Sequence, residues 1–195
     1  MNIKSSLLFV LIFWSTFTTA QNIIEWDGIY QLQLTDFQSP SSQIGDVDIY
    51  SIHTTSGMDF SFHMSAGEFI FTKNFNPKVN CNFSRNASVL IAPDSASAMA
   101  LLNFARYEFD LSELYARKFR KKLYDEKGAF SDLSFFEPIY EDIQNEFSQR
   151  HSAAGKETDL GQHSDKLIAL HEEVKKEIME LADFCKACKP PKKKK

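Results

Sequence analysis

Carboxylates, histidines and cysteines are the side chains of this 195-residue chain with chemistry to offer, and their spacing decides what kind. Glu108 with Asp110, or Glu141 with Asp142, would serve as acid and base only if their surroundings pushed their pKa values apart, and such pairs occur along any acidic chain. His171-Glu172-Glu173-Val174-Lys175 begins like a zinc-binding helix, in which two histidines one turn apart aim at one ion. Lys175 stands at the second ligand position, and a charged ammonium has no lone pair to give. His163 and His171 are over two helical turns apart, too far to share an ion on one helix face. His53 and His63 fall on the polar faces of strand-like segments, and His151 falls in a stretch that reads as a loop. Cys81, Cys185 and Cys188 are an odd set. In an oxidising compartment two of them should pair, either Cys185 with Cys188 or one of these with Cys81. A redox-active Cys-x-x-Cys opens a helix after a strand; this one ends a charged helix before Pro190-Pro191, which points to structural use. No glycine-rich phosphate loop and no Gly-x-Ser-x-Gly elbow is present.

The elements that must position these residues follow from hydrophobic period. From Ile29 to about Val79 the period is two. Met58, Phe60, Phe62 and Met64 alternate with polar residues, Ser65-Ala66-Gly67 reads as a turn, and Glu68-Phe69-Ile70-Phe71-Thr72 reads as the returning strand of a hairpin. Val47 to Ile52 is expected as a further strand of one antiparallel sheet. After Pro93 the period becomes helical: Asp94 or Ser95 can cap, and Ala98, Leu102, Ala105, Phe109, Ser112, Ala116, Phe119 and Leu123 recur at three- and four-residue spacing. The wide apolar arc predicts a central, largely buried helix over about 94–127. A second helix is expected from Pro138 to about Arg150, then a polar interruption over His151 to Gly161. A third runs through Leu167, Leu170, Val174, Ile178, Leu181 and Cys185. Strands followed by three helices predict an α+β fold.

The central helix carries a further pattern. Phe109-Asp110-Leu111, Glu113-Leu114, Ala116-Arg117 and Arg120 resemble the zinc-binding helix of a bacterial family of secreted domains, of uncharacterised function but predicted to be zinc-dependent proteases. There an HExxH is followed directly by Phe-Asp-Ile and a Glu-Leu-x-Ala-Arg-x-x-Arg continuation. Trp26 and Leu34-Thr35-Asp36-Phe37 resemble the family's opening Trp and Leu-Thr-x-x-Asp-Phe region, at a shortened spacing. Glu157-Thr158-Asp159-Leu160-Gly161 is similar to its Glu-Thr-x-His-Gly segment, whose histidine looks like the third ligand. The resemblance implies a zincin-like domain over nearly the whole mature chain.

HExxH works because two histidines a turn apart hold one zinc while the glutamate takes the proton of the bound water. The matching positions here are Phe104, Ala105 and Glu108, and Leu160 stands at the third ligand. The resemblance therefore implies a degenerate site: zinc is expected of the family but its ligands are absent, leaving no catalytic and no metal-binding residues.

Composition sets the remaining bounds. Met1 to Ala20 has Lys4, an apolar run from Leu7 to Trp14 and a small-residue end, which reads as a cleaved secretory signal and implies a secreted or periplasmic protein. The apolar run is about half what a membrane span needs, and no later stretch is apolar enough to span. Residues 21–188 are expected to form one domain, with 18 phenylalanines in the whole chain to fill a core. Residues 189–195 read as a disordered Lys- and Pro-rich tail. The whole chain has a formal charge of −4; without Lys4 and the tail lysines the body is near −10, which disfavours nucleic acid as a partner. The expectation is a non-catalytic, zinc-protease-like domain that binds a peptide or envelope partner. Two rivals stand beside it. One is a metal-dependent hydrolase with atypical ligands, using Glu108, Asp110 or Glu113 with a histidine from another segment. The other is an unrelated structural α+β domain, in which Phe104 and Leu160 would lie far apart.

Overall fold

Short alternating segments of the N-terminal half form strands. The computed structural model describes residues 22–60, 64–128, 131, 132 and 134–191; the signal-like segment Met1–Ala20, Phe62, His63 and Lys192–Lys195 lie outside them. The strands are β1 (Ile23–Glu25), β2 (Gln43–Ile44), β3 (Ser51–His53), β4 (Ser56–Phe60), β5 (Val79–Ser84) and β6 (Val89–Ala92). On β5 the period of two is literal: Val79, Cys81 and Phe83 are buried, and the residues between them half-buried. Pairing gives two three-stranded sheets where one was expected. The first, ordered β1-β5-β4, is antiparallel with Met58 opposite Cys81; the second, ordered β2-β6-β3, is mixed, because β2 runs parallel to β6.

The expected hairpin over 58–72 is half right. Met58 to Phe60 lie in β4, but Ala66–Phe71 is a short helix, α1. The Ser65 hydroxyl accepts the Glu68 N–H, so a local cap outweighs the strand preference of Phe-Ile-Phe. The expected strand over Val47–Ile52 is also shorter: only Ser51–His53 pairs.

The helical half follows the periodicity closely where the apolar arc is widest. Helix α2 spans Ser95–Glu126, and Asp94, with extended backbone, caps it by accepting the Ser97 N–H. Around it pack α3 (Phe136–Thr158) and α4 (Ser164–Glu180), while both sheets cover its other side. This enclosure is why α2 buries residues all round, from Ala98 to Leu123. The interruption expected from His151 does not occur: α3 continues to Thr158, with Ala154 and Thr158 buried and the Thr158 hydroxyl donating to the Ala154 carbonyl. Helix α4 stops at Glu180, short of Cys185, and a 3-10 turn at Ala182–Phe184 follows. The architecture is α+β. Among the described residues no helix is long and apolar enough to cross a membrane.

Candidate functional site

Residues 104 and 108 lie one turn apart on the face of α2 that meets α3. Phe104 is 1% exposed, Ala105 fully buried and Glu108 8% exposed. His151, expected in a loop, is on α3 and comes to this face. Its Nε2 is 3.5 Å from Glu108 Oε1, and its ring lies 5.6 Å from Phe104 and stacks on Phe147 at 5.7 Å. The Glu108 carboxylate beside it raises the His151 pKa above its ordinary value, against the burial that lowers it.

The end of α3 delivers Leu160 to the same place. Asp159, Leu160 and Gly161 have φ of 49°, 52° and 96°, three left-handed residues in succession that reverse the chain. Gly161 is required twice over: its φ suits glycine, and a Cβ there would lie 2.3 Å from the Ala100 carbonyl oxygen of α2. A Cβ on Gly155 would meet both the Phe104 ring and a Leu160 methyl at 3.5 Å, so the two side chains sit together over this glycine. The fold thus brings Leu160 to Phe104, leaves Ala105 buried beside it on α2, and adds His151 between Phe104 and Glu108, an arrival from α3 that no sequence signal announced.

This set does not fit zinc. A benzyl, a methyl and an isobutyl group have no lone pair to donate, which leaves one carboxylate and one imidazole where at least three protein ligands are needed. Among the described residues no group of three or more His, Cys, Asp or Glu side chains is placed to hold a metal ion.

The rest of the helix pattern is engaged in tertiary contacts. Asp110 accepts from Trp26 Nε1 at Oδ1, 2.7 Å, and its Oδ2 lies 2.7 Å from His171 Nε2. His171 meets the Tyr107 ring edge-on, and burial pushes the Tyr107 phenol up to about 12. Glu113 receives Arg117 Nε at 2.9 Å and Arg120 Nη1 at 2.8 Å. The same guanidiniums donate to carbonyls of Ile178, Phe184 and Val79, and Arg117 lies over the Trp26 ring. Trp26 was legible as part of the pattern; His171, 61 residues from Asp110, was not.

His53 lies in β3, His171 lies on α4 and His163 just before its start, turning Nδ1 to the Glu157 carbonyl. Cys185 bonds Cys188, and Cys81 is a buried free thiol whose pKa burial pushes well up. Among the described residues, cavities border α2 at several places. One of about 580 Å³ lies among Trp26, Pro77, Cys81, Arg117 and Cys185. One of about 200 Å³ separates Gly57 and Met58 of β4 from Tyr115, Tyr140 and Phe147. One of about 250 Å³ lies between Arg106 and the start of α4. Searches against protein-family models, curated proteins and solved structures return no match.

Proposed function

We propose that this chain is an exported, non-catalytic relative of the secreted zinc-protease-like domains it resembles, and that it binds a peptide or envelope partner without cleaving it. The observation that carries the reading is that Leu160 lies with Phe104 over Gly155, positions matched from two distant segments, while His151 touches both Phe104 and Glu108. Kinship with those domains expects position 160 beside position 104, and the two are neighbours. The left-handed backbone at Leu160, costly for a branched side chain, also supports it: such strain persists where a geometry once served a function. Export is supported by the Met1–Ala20 segment and by the disulfide.

A peptide is the favoured partner because β4 is an edge strand of its sheet and Ser56, Gly57 and Met58 border the 200 Å³ groove. An extended segment added along β4 would gain backbone hydrogen bonds and place a side chain among Tyr115, Tyr140 and Phe147.

Metal analysis of the purified protein, with a peptidase assay, tests the reading. The wild type should carry no stoichiometric zinc and cleave nothing in a chelator-sensitive way. The triple variant Phe104→His, Glu108→His, Leu160→His should bind one zinc, with Gly155 and Gly161 leaving the backbone unchanged. Zinc with chelator-sensitive cleavage in the wild type rejects the non-catalytic assignment. A folded triple variant that binds zinc no better than wild type rejects the kinship. The Asp110–His171 pair favours a second reading, a hydrolase whose histidine base is oriented by a half-buried carboxylate. That reading requires a hydrolytic activity that His171→Gln abolishes.

A further inference from the structure

Four of the five arginines are committed to carboxylates: Arg85 to Asp36, Arg117 and Arg120 to Glu113, and Arg150 to Glu177. Among the described residues Arg106 is the exception. Its Nε donates to the Leu32 carbonyl at 2.9 Å and its Nη1 to Asn103 Oδ1 at 3.1 Å, both uncharged acceptors that fix the guanidinium without neutralising it. Arg106 lines the cavity of about 250 Å³ together with Gln31, Asn103, Ser164, His171 and Lys175.

Among the described residues no carboxylate lines this cavity, although the body of the protein is strongly acidic. Asp110 is turned to Trp26 and to the Nε2 of His171, and Glu172 meets Lys175 at 3.1 Å in solvent. A half-buried cation without a counter-ion, ringed by hydroxyl, amide and ammonium donors, is arranged for an anion.

We propose that this cavity binds a small tetrahedral oxyanion, a free phosphate or the head of a phosphate monoester, anchored on Arg106. Donors approach from the Gln31 segment, α2 and α4, which is more directions than the two oxygens of a carboxylate satisfy. The acceptance by Asn103 Oδ1 of the Arg106 Nη1 hydrogen bond leaves the Asn103 amide nitrogen as a donor. The volume lies below the roughly 300–1,000 Å³ of sites for drug-sized ligands, which suits a single phosphoryl group and excludes a nucleotide. None of residues 104, 105, 108 or 160 takes part.

Isothermal titration of the purified protein with inorganic phosphate, O-phosphoserine and acetate tests this. Saturable binding of phosphate or phosphoserine is expected, with acetate clearly weaker. Tighter phosphoserine marks an esterified ligand as the source and tighter inorganic phosphate marks the free ion; both support the site. Arg106→Gln should weaken binding about tenfold, the loss of a charge-assisted hydrogen bond. Because Arg106 also holds the Leu32 carbonyl, Lys175→Gln, on an exposed side chain, gives a second reading that folding does not confound, about threefold weaker. Lys121→Gln, remote and paired with Asp125, should leave binding unchanged. Absence of saturation by either phosphate ligand, equal binding of acetate, or affinity indifferent to both Arg106→Gln and Lys175→Gln overturns the proposal.

Discussion

Of the four positions that the proposed kinship singles out, Glu108 has the acidic side chain, and His151 lies 3.5 Å from it. Because the neighbouring Glu108 carboxylate raises the His151 pKa, folded His151 holds its proton more tightly than unfolded His151. The stabilisation from the pair is therefore complete below the ordinary imidazole value of about 6.5 and is lost as pH rises through the higher folded-state value. Urea unfolding of wild type and Glu108→Gln should show a stability difference that is larger in mild acid than at about pH 8. A difference independent of pH would mean that the pair does not titrate with folding. Part of this site was legible, because Phe104, Ala105, Glu108 and Leu160 stand at fixed offsets from residues that keep a recognisable order. His151 was not, since its partners belong to another helix and its own neighbours are polar enough to resemble a loop.

Among the elements, α2 was readable almost to the residue because helical period, a capping aspartate and a wide apolar arc agree. Helix α1 was misread because alternation and aromatic content outweighed a signal that was present: Ser65-Ala66-Gly67-Glu68 has the spacing of a helix start, and Ser65 does cap Glu68. The extension of α3 past His151 was hidden for a different reason. Its buried positions there are Ala154 and Thr158, with Gly155 between, small residues that suit close packing on α2 and leave no large-residue stripe. The polar residues of α2 have the opposite character. Glu113 at 2% exposed is the shared counter-ion of Arg117 at 7% and Arg120 at 1%, and these arginines hold the last carbonyls of α4 and the turn beyond it. Glu113→Gln leaves two buried guanidiniums without a counter-ion and should cost about 3–5 kcal/mol in equilibrium unfolding. A cost under about 1 kcal/mol would show that water reaches the network and that α2 does not depend on it.

At the scale of the whole molecule, both ends of the described chain are fastened to the same central helix. Trp26 near the beginning donates to Asp110, and the segment after α4 returns to the far part of α2 through Arg120, closed on itself by the Cys185–Cys188 bond. Asn76, fully buried, donates to the carbonyls of Asp183 and Cys188, so the loop before β5 depends on the same segment. A chain ending at Leu181 would leave the Asn76 amide and one Arg120 donor buried without acceptors and would remove the buried Phe184 ring. Unsatisfied donors cost about 1–3 kcal/mol each and the ring about 1.5–3 kcal/mol, so a loss of about 5 kcal/mol is expected. For a domain of this size that corresponds to a melting temperature lower by about 10–20 °C. Melting should remain a single transition, because the core into which Asn76 and Arg120 reach is the one that α2 shares with both sheets. A truncated protein melting within about 2 °C of the full chain would mean that the terminal segment lies on the fold without holding it, and that Asn76 and Arg120 find water in its place.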